Sequence, residues 1–177
     1  MNLNEVLKKR LDEAAWKQLS EEFPWTLETL KKHSHKLDWE RISNNDSIQW
    51  TPTILEQFKD KLDWTEVSRT GCRMVLSPEC LEQFAEYWDW SELSSNLNLP
   101  LDYELIDRFI DKWDWSELID QHIHWERDTV ALLYGTEFLE RYIDRIPTDD
   151  LEDSELWEVI REKREQELAQ QILSEDI

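Results

Sequence analysis

The chain has 177 residues, enough for one folded domain, and its 40% hydrophobic content argues against wholesale disorder. Its two Gly residues leave little material for tight hairpins or phosphate-cradling loops, which disfavours an all-β fold and a nucleotide-binding α/β fold together. The net charge of −21 is uneven: residues 1–100 carry 18 acids and 12 bases, and residues 101–177 carry 23 and 8. Such a surface repels nucleic-acid phosphates and anionic lipid; it suits a basic protein surface, or solubility alone.

In chain order, the opening stretch MNLNEVLKKRLDEAAW reads as an amphipathic helix, and residues 1–20 are expected to cap the fold. It is too charged for the apolar core of a signal peptide, and no apolar run is long enough to span a membrane. Cys72 and Cys80, the only cysteines, make no disulfide framework. A cytoplasmic location is the expectation.

Residues 21–151 are expected to form repeats. The motif W-x-x-[LIV] begins at Trp16, Trp39, Trp64, Trp90 and Trp115, with spacings of 23, 25, 26 and 25, and a degenerate copy begins at Thr148. Asp38, Asp63, Asp89 and Asp114 precede the last four of these Trp residues. Fourteen residues before each unit after the first stand Trp25, Trp50, Leu76, Leu101 and Tyr134; nine before stand Leu30, Leu55, Leu81, Ile106 and Leu139. Six before stand His33, Phe58, Phe84, Phe109 and Tyr142.

Each unit carries two helix-start signals. Thr26, Thr51, Ser77 and Asp102 are N-cap types, with Pro52 and Pro78 at the first helical position, where a missing N–H costs nothing. From Asp102 a helix of about ten to twelve residues, ending near Lys112, is expected. Asp114 with Glu117 then reads as a capping-box-like start of a helix of one or two turns, as do Asp63 with Glu66 and Asp89 with Glu92. Neither helix buries its apolar face alone, so neighbours must stack. The fold class expected is all-α: a solenoid-like array of about five helix–short-helix repeats, with terminal capping helices, in one domain over 1–177.

The interval from Trp115 to Thr148 is 33 residues, with the excess within 119–133. Insertions into arrays map to loops or extended helices, often on a binding face. Trp125 stands outside both Trp registers and leads the candidate partner-contact residues, with His122, His124, Glu126, Asp128, Asp149, Asp150 and Trp157. Its competing role is to plug a gap where the array bends. Residues 152–177 read as a C-terminal helix with Leu156, Ile160, Leu168 and Ile172 on one row. That helix is either a solvated cap or a docking element for a partner or a second copy.

Catalytic chemistry is not indicated. His122-x-His124 and His33-x-His35 point apart on a helix and lack further ligands, so no metal or cofactor is expected. His33 also holds the position of Phe58, Phe84 and Phe109, and Cys80 that of Ile54 and Leu105, which makes both core residues. Nothing orients Cys72 as a nucleophile, and acidic pairs such as Asp149–Asp150 are too common here to suggest acid–base work. No Walker loop, dinucleotide fingerprint or nucleophile elbow is present.

The string Leu99-Pro100-Leu101-Asp102-Tyr103-Glu104-Leu105-Ile106, then Phe109 and Asp111 to Leu118, resembles a short Trp-rich repeat found in arrays in uncharacterised bacterial and large-virus proteins. The resemblance covers residues 25–118 well and 119–151 loosely. It implies an α-repeat scaffold and brings no catalytic residues. The expectation is therefore a non-enzymatic protein-interaction module with an acidic surface and a basic protein partner, without direct nucleic-acid or membrane binding. The alternative is an acidic inhibitor, of immunity or nucleic-acid-mimicking type, that neutralises a basic toxin or nuclease. A homo-oligomer through the C-terminal helix is a further expectation.

Overall fold

A computed structural model describes residues 3–71, 74–122 and 129–175. They form thirteen helices and, among the described residues, no strand, so the fold is all-α, with the helix–short-helix repeat and its regularly spaced Trp visible in it. Contacts divide the chain into two compact units, Met1–Asp89 and Trp90–Ile177. The first holds α1 (Leu3–Glu22), α2 (Leu27–His33), α3 (Trp39–Ser43), α4 (Pro52–Phe58), α5 (Trp64–Thr70) and α6 (Pro78–Gln83). The second holds α7 (Trp90–Ser94), α8 (Tyr103–Arg108), α9 (Trp115–Ile119), α10 (Thr129–Leu133), α11 (Thr136–Tyr142), α12 (Thr148–Leu151) and α13 (Glu155–Glu175). No described helix is long and apolar enough to cross a membrane.

Local chemistry starts these helices as their side chains dictate. Thr26, Thr51, Ser77 and Asp102 each accept a backbone N–H from the first turn of α2, α4, α6 and α8, and Pro52 and Pro78 open α4 and α6. Asp38, Asp63 and Asp114 do the same for α3, α5 and α9. Two expectations need correction. The helix after Asp102 stops at Arg108 rather than near Lys112. The buried Trp113 indole donates to the Ile106 carbonyl at 3.0 Å, and the chain tightens into an i,i+3 turn with Lys112 N–H on the Phe109 carbonyl at 2.8 Å. The reciprocal half of the capping box at Asp63 and Asp114 is replaced, because their N–H groups are already bonded to the preceding unit.

That bond defines the joint between units. Four residues after each of the first four motif Trp residues stands a buried Ser: Ser20, Ser43, Ser68 and Ser94. The Oγ of Ser20, Ser43 and Ser94 donates to the carbonyl of its own Trp at 2.6–2.7 Å. The same atom, and that of Ser68, accepts the N–H of the next unit's Asp38, Asp63, Asp89 or Asp114 at 2.8–3.0 Å. One hydroxyl thus satisfies a carbonyl and an otherwise orphaned helix-start N–H. Beside it the motif Trp packs at a tilt against the next repeat's register aromatic. The pairs Trp16–His33, Trp39–Phe58, Trp64–Phe84, Trp90–Phe109 and Trp115–Tyr142 have ring centroids 4.8–5.5 Å apart. Most motif Trp residues are therefore half-buried bridges, Trp115 alone being buried, while the cores are filled by Trp25, Trp50, Leu55, Leu81, Trp88, Ile106 and Trp113.

Removing one Ser leaves the next repeat's Asp N–H without its partner at a part-buried joint. Ser43→Ala is expected to cost about 1–3 kcal/mol in urea unfolding. Ser95→Ala, one residue past the joint Ser of α7 and exposed, should fall within about 0.5 kcal/mol of the parent.

The last joint is built differently. Ile119 occupies the Ser position and is fully buried, and Pro147, which has no N–H, occupies the position of the Asp residues. Acceptor and donor are lost together, which leaves nothing unsatisfied. Tyr134 takes over the polar work there. Its hydroxyl donates to the Leu118 carbonyl at 2.7 Å and accepts the Gln121 N–H at 3.2 Å, and burial pushes its pKa far up. Cys80 is buried in the first unit and its thiol is pushed up to about 11 by desolvation.

Candidate functional site

Within the second unit, α9, α12 and the turn into α13 enclose a groove of about 270 Å³. Its lining is Ser116, Glu117, Asp120, Asp150, Asp153 and Ser154. Local folding places each group. Asp114 caps α9 and so sets Ser116 and Glu117 on its first turn. Asp120 is the residue that ends α9, and its Oδ1 accepts the N–H of Glu155 at 3.1 Å. Ser116 donates to Asp150 Oδ2 at 2.6 Å, which ties α12 to α9. Ser154 ends the turn by accepting the Trp157 N–H at 3.3 Å, so α13 begins at Glu155 rather than 152.

Four carboxylates line this groove, and among the described residues no base does. Glu117 is held above its ordinary pKa, first by partial burial and then by Asp114, Asp120 and Glu92. That is the signature of a field that favours protons and cations. A charged groove in the first unit differs: Arg41 pairs with Glu21 and with Asp38, and Arg69 with Glu66, so its charges answer one another. No cluster of three or more His, Cys, Asp or Glu fit to hold a metal ion occurs among the described residues.

Of the candidate contact residues, Asp150 lies in the groove and Asp149 is exposed beside it on α12. His122 is exposed at its margin, with Nδ1 2.8 Å from Oε1 of Glu155. Trp157 is half-buried on α13 and does not line the groove. Trp125, His124, Glu126 and Asp128 lie outside the described residues, as does Cys72. Glu117, Asp120 and Asp153 are additions that the sequence reading missed. In so acidic a chain no single carboxylate stands out, and only the α9–α12 packing brings them together. The available signal was the spacing of Glu117 and Asp120, one helical turn apart.

The His122–Glu155 pair carries a pH prediction. The hydrogen bond to Glu155, its charge and then that of Asp120 raise the imidazole pKa. A raised folded-state pKa means that the pair's stabilisation is present below the ordinary imidazole value and is lost as pH rises through the folded value. An NMR titration should place His122 above the ordinary value of about 6.5, and Glu155→Gln should return it there. A His122 midpoint unaffected by Glu155→Gln would show that the pair does not form in solution.

No protein-family model, curated protein or solved structure matches the chain.

Proposed function

We propose that the chain is a non-catalytic protein-interaction module whose α9–α12 groove receives basic side chains of a protein partner. The observation that carries this reading is the groove's lining, among the described residues, of four carboxylates and two hydroxyls with no base. Lys and Arg donors complement such a lining, and acidic surfaces speed the encounter with basic partners. Trp125, His124, Glu126 and Asp128 are proposed as further partner contacts on sequence grounds alone. The repeat array serves as the scaffold, in keeping with the resemblance to Trp-rich repeat arrays, and the cytoplasm is the compartment proposed.

A second reading has its own support. Residues 90–177 carry 24 acids and 8 bases, a net of −16. An inhibitor that masks a basic toxin or nuclease needs charge of that sign spread over a surface. The two readings separate in one experiment. A partner captured from the native host is titrated against the parent chain and against Asp120→Lys/Asp153→Lys, at low and high salt. The module reading expects at least a tenfold loss from the groove pair and little from equal charge reversal at Glu162 and Glu167 on α13. The inhibitor reading expects similar losses from both sites and a steep salt dependence. A partner whose affinity ignores both reversals and salt rules out an acidic recognition surface.

A further inference from the structure

His122 is exposed at the margin of the acidic groove, and two hydrogen bonds connect it to the lining. Its Nδ1 lies 2.8 Å from Oε1 of Glu155, the first residue of α13. The N–H of the same Glu155 donates to Oδ1 of Asp120 at 3.1 Å, and Asp120 lines the groove. Imidazole, rim carboxylate and lining carboxylate thus form one connected set. The backbone that carries two of them is anchored at Gln121, which stands between Asp120 and His122 and is buried. Gln121 donates its N–H to the Tyr134 hydroxyl at 3.2 Å and its side-chain amide to the Ser94 carbonyl.

Among the described residues, the charges that act on His122 are those of Glu155 on α13 and Asp120 at the end of α9, both negative. Glu117 of α9 and Asp150 and Asp153 of α12 complete the acidic lining. Tyr134 is buried, and desolvation holds its hydroxyl neutral. Glu117 is held above its ordinary pKa, so it loses charge as pH falls, which acts in the same direction as protonation of the ring. The imidazole is the group of this set whose ordinary pKa, about 6.5, falls near neutral pH.

We propose that His122 regulates the groove: its protonation weakens the hold on a partner's Lys or Arg side chain, and its deprotonation strengthens that hold. The proposal rests on the reading of the groove as a receptor for basic side chains and adds a control to it. A neutral ring leaves the Glu155 carboxylate as a further negative charge at the rim, and an imidazolium cancels that charge. One elementary charge at a solvent-facing rim changes the affinity for a cation by roughly two- to fivefold. Linkage is reciprocal, so a cation held in the groove lowers the proton affinity of His122 by the same factor.

NMR titration of the full chain with N-acetylated, C-amidated tetralysine tests this, the His122 resonance being assigned by its absence in His122→Gln. His122 is exposed, so that substitution should leave the fold intact. The peptide should bind roughly two- to fivefold more weakly at about pH 6 than at about pH 8. Saturating peptide should lower the His122 midpoint by the matching amount, and His122→Gln should lose most of the pH dependence. Peptide that binds in the groove without moving the midpoint overturns the regulation and leaves the groove reading standing. So does a His122→Gln chain that keeps the full pH dependence, which would assign it to Glu117. Peptide that binds at neither pH, or that binds Asp120→Lys/Asp153→Lys equally well, overturns the groove reading and the regulation with it.

Discussion

Replacing Phe84 by Ala is expected to destabilise the chain by about 3–5 kcal/mol. Phe84 is 1% exposed and its ring lies 5.4 Å from that of Trp64. Its own carbonyl and N–H anchor the turn after α6: Tyr87 N–H donates to the Phe84 carbonyl at 2.8 Å, and the Phe84 N–H donates to that of Cys80 at 3.1 Å. The truncation therefore opens a cavity beside a joint whose Trp already has a solvent-facing edge. His33→Ala is the matched comparison. His33 holds the same register position but is half-buried against Trp16, so about 1 kcal/mol is expected. Urea denaturation followed by Trp fluorescence measures both. Equal losses at the two positions would mean that the register aromatics do not derive their value from burial.

Tyr134 should separate packing from hydrogen bonding. Tyr134→Phe keeps the ring and removes the hydroxyl that links Leu118 and Gln121, both of which are buried. Its expected cost is about 1–3 kcal/mol, because a buried N–H and a buried carbonyl lose their shared partner. Tyr134→Ala adds the ring cavity against Phe138, whose centroid lies 5.7 Å away, and should cost about 3–5 kcal/mol more if the two terms add. A Tyr134→Phe chain as stable as the parent would show that water replaces the hydroxyl. The comparison matters for the acidic groove, because Gln121 follows Asp120 directly and the same hydroxyl fixes where α9 ends.

The sequence made the helix starts readable because a cap is a local event. Thr51 followed by Pro52, or Asp114 two and three residues before Ser116 and Glu117, determines its hydrogen bonds within one turn. Periodicity likewise disclosed the register aromatics, since a fixed spacing survives any uncertainty about shape. What it did not disclose depends on neighbours. Ser43 and Ser94 stand at a constant offset from the motif Trp, but nothing local shows their second role, accepting an N–H twenty residues away. The length of α8 was overestimated because a pattern of apolar residues does not reveal that an indole, rather than a backbone N–H, will take the Ile106 carbonyl. The groove carboxylates were hidden by abundance. With 41 acids in the chain, only packing distinguishes the four that line one groove.

The joint has a consequence for how such a chain changes length. Each unit carries half of the joint before it, an Asp N–H and a register aromatic, and half of the joint after it, a Trp and a Ser. A tandem duplication of one unit in a gene therefore adds a complete joint and leaves no mismatched one, so growth needs no compensating mutation. The Ile119–Pro147 joint does not share this property. A unit copied in after Trp115 would bring an Asp N–H to face Ile119, and one copied from there would bring an Ile to face an Asp. Lengthening is thus permitted upstream of Trp115 and penalised downstream, and natural or designed variants in repeat number should keep the α9–α13 end intact.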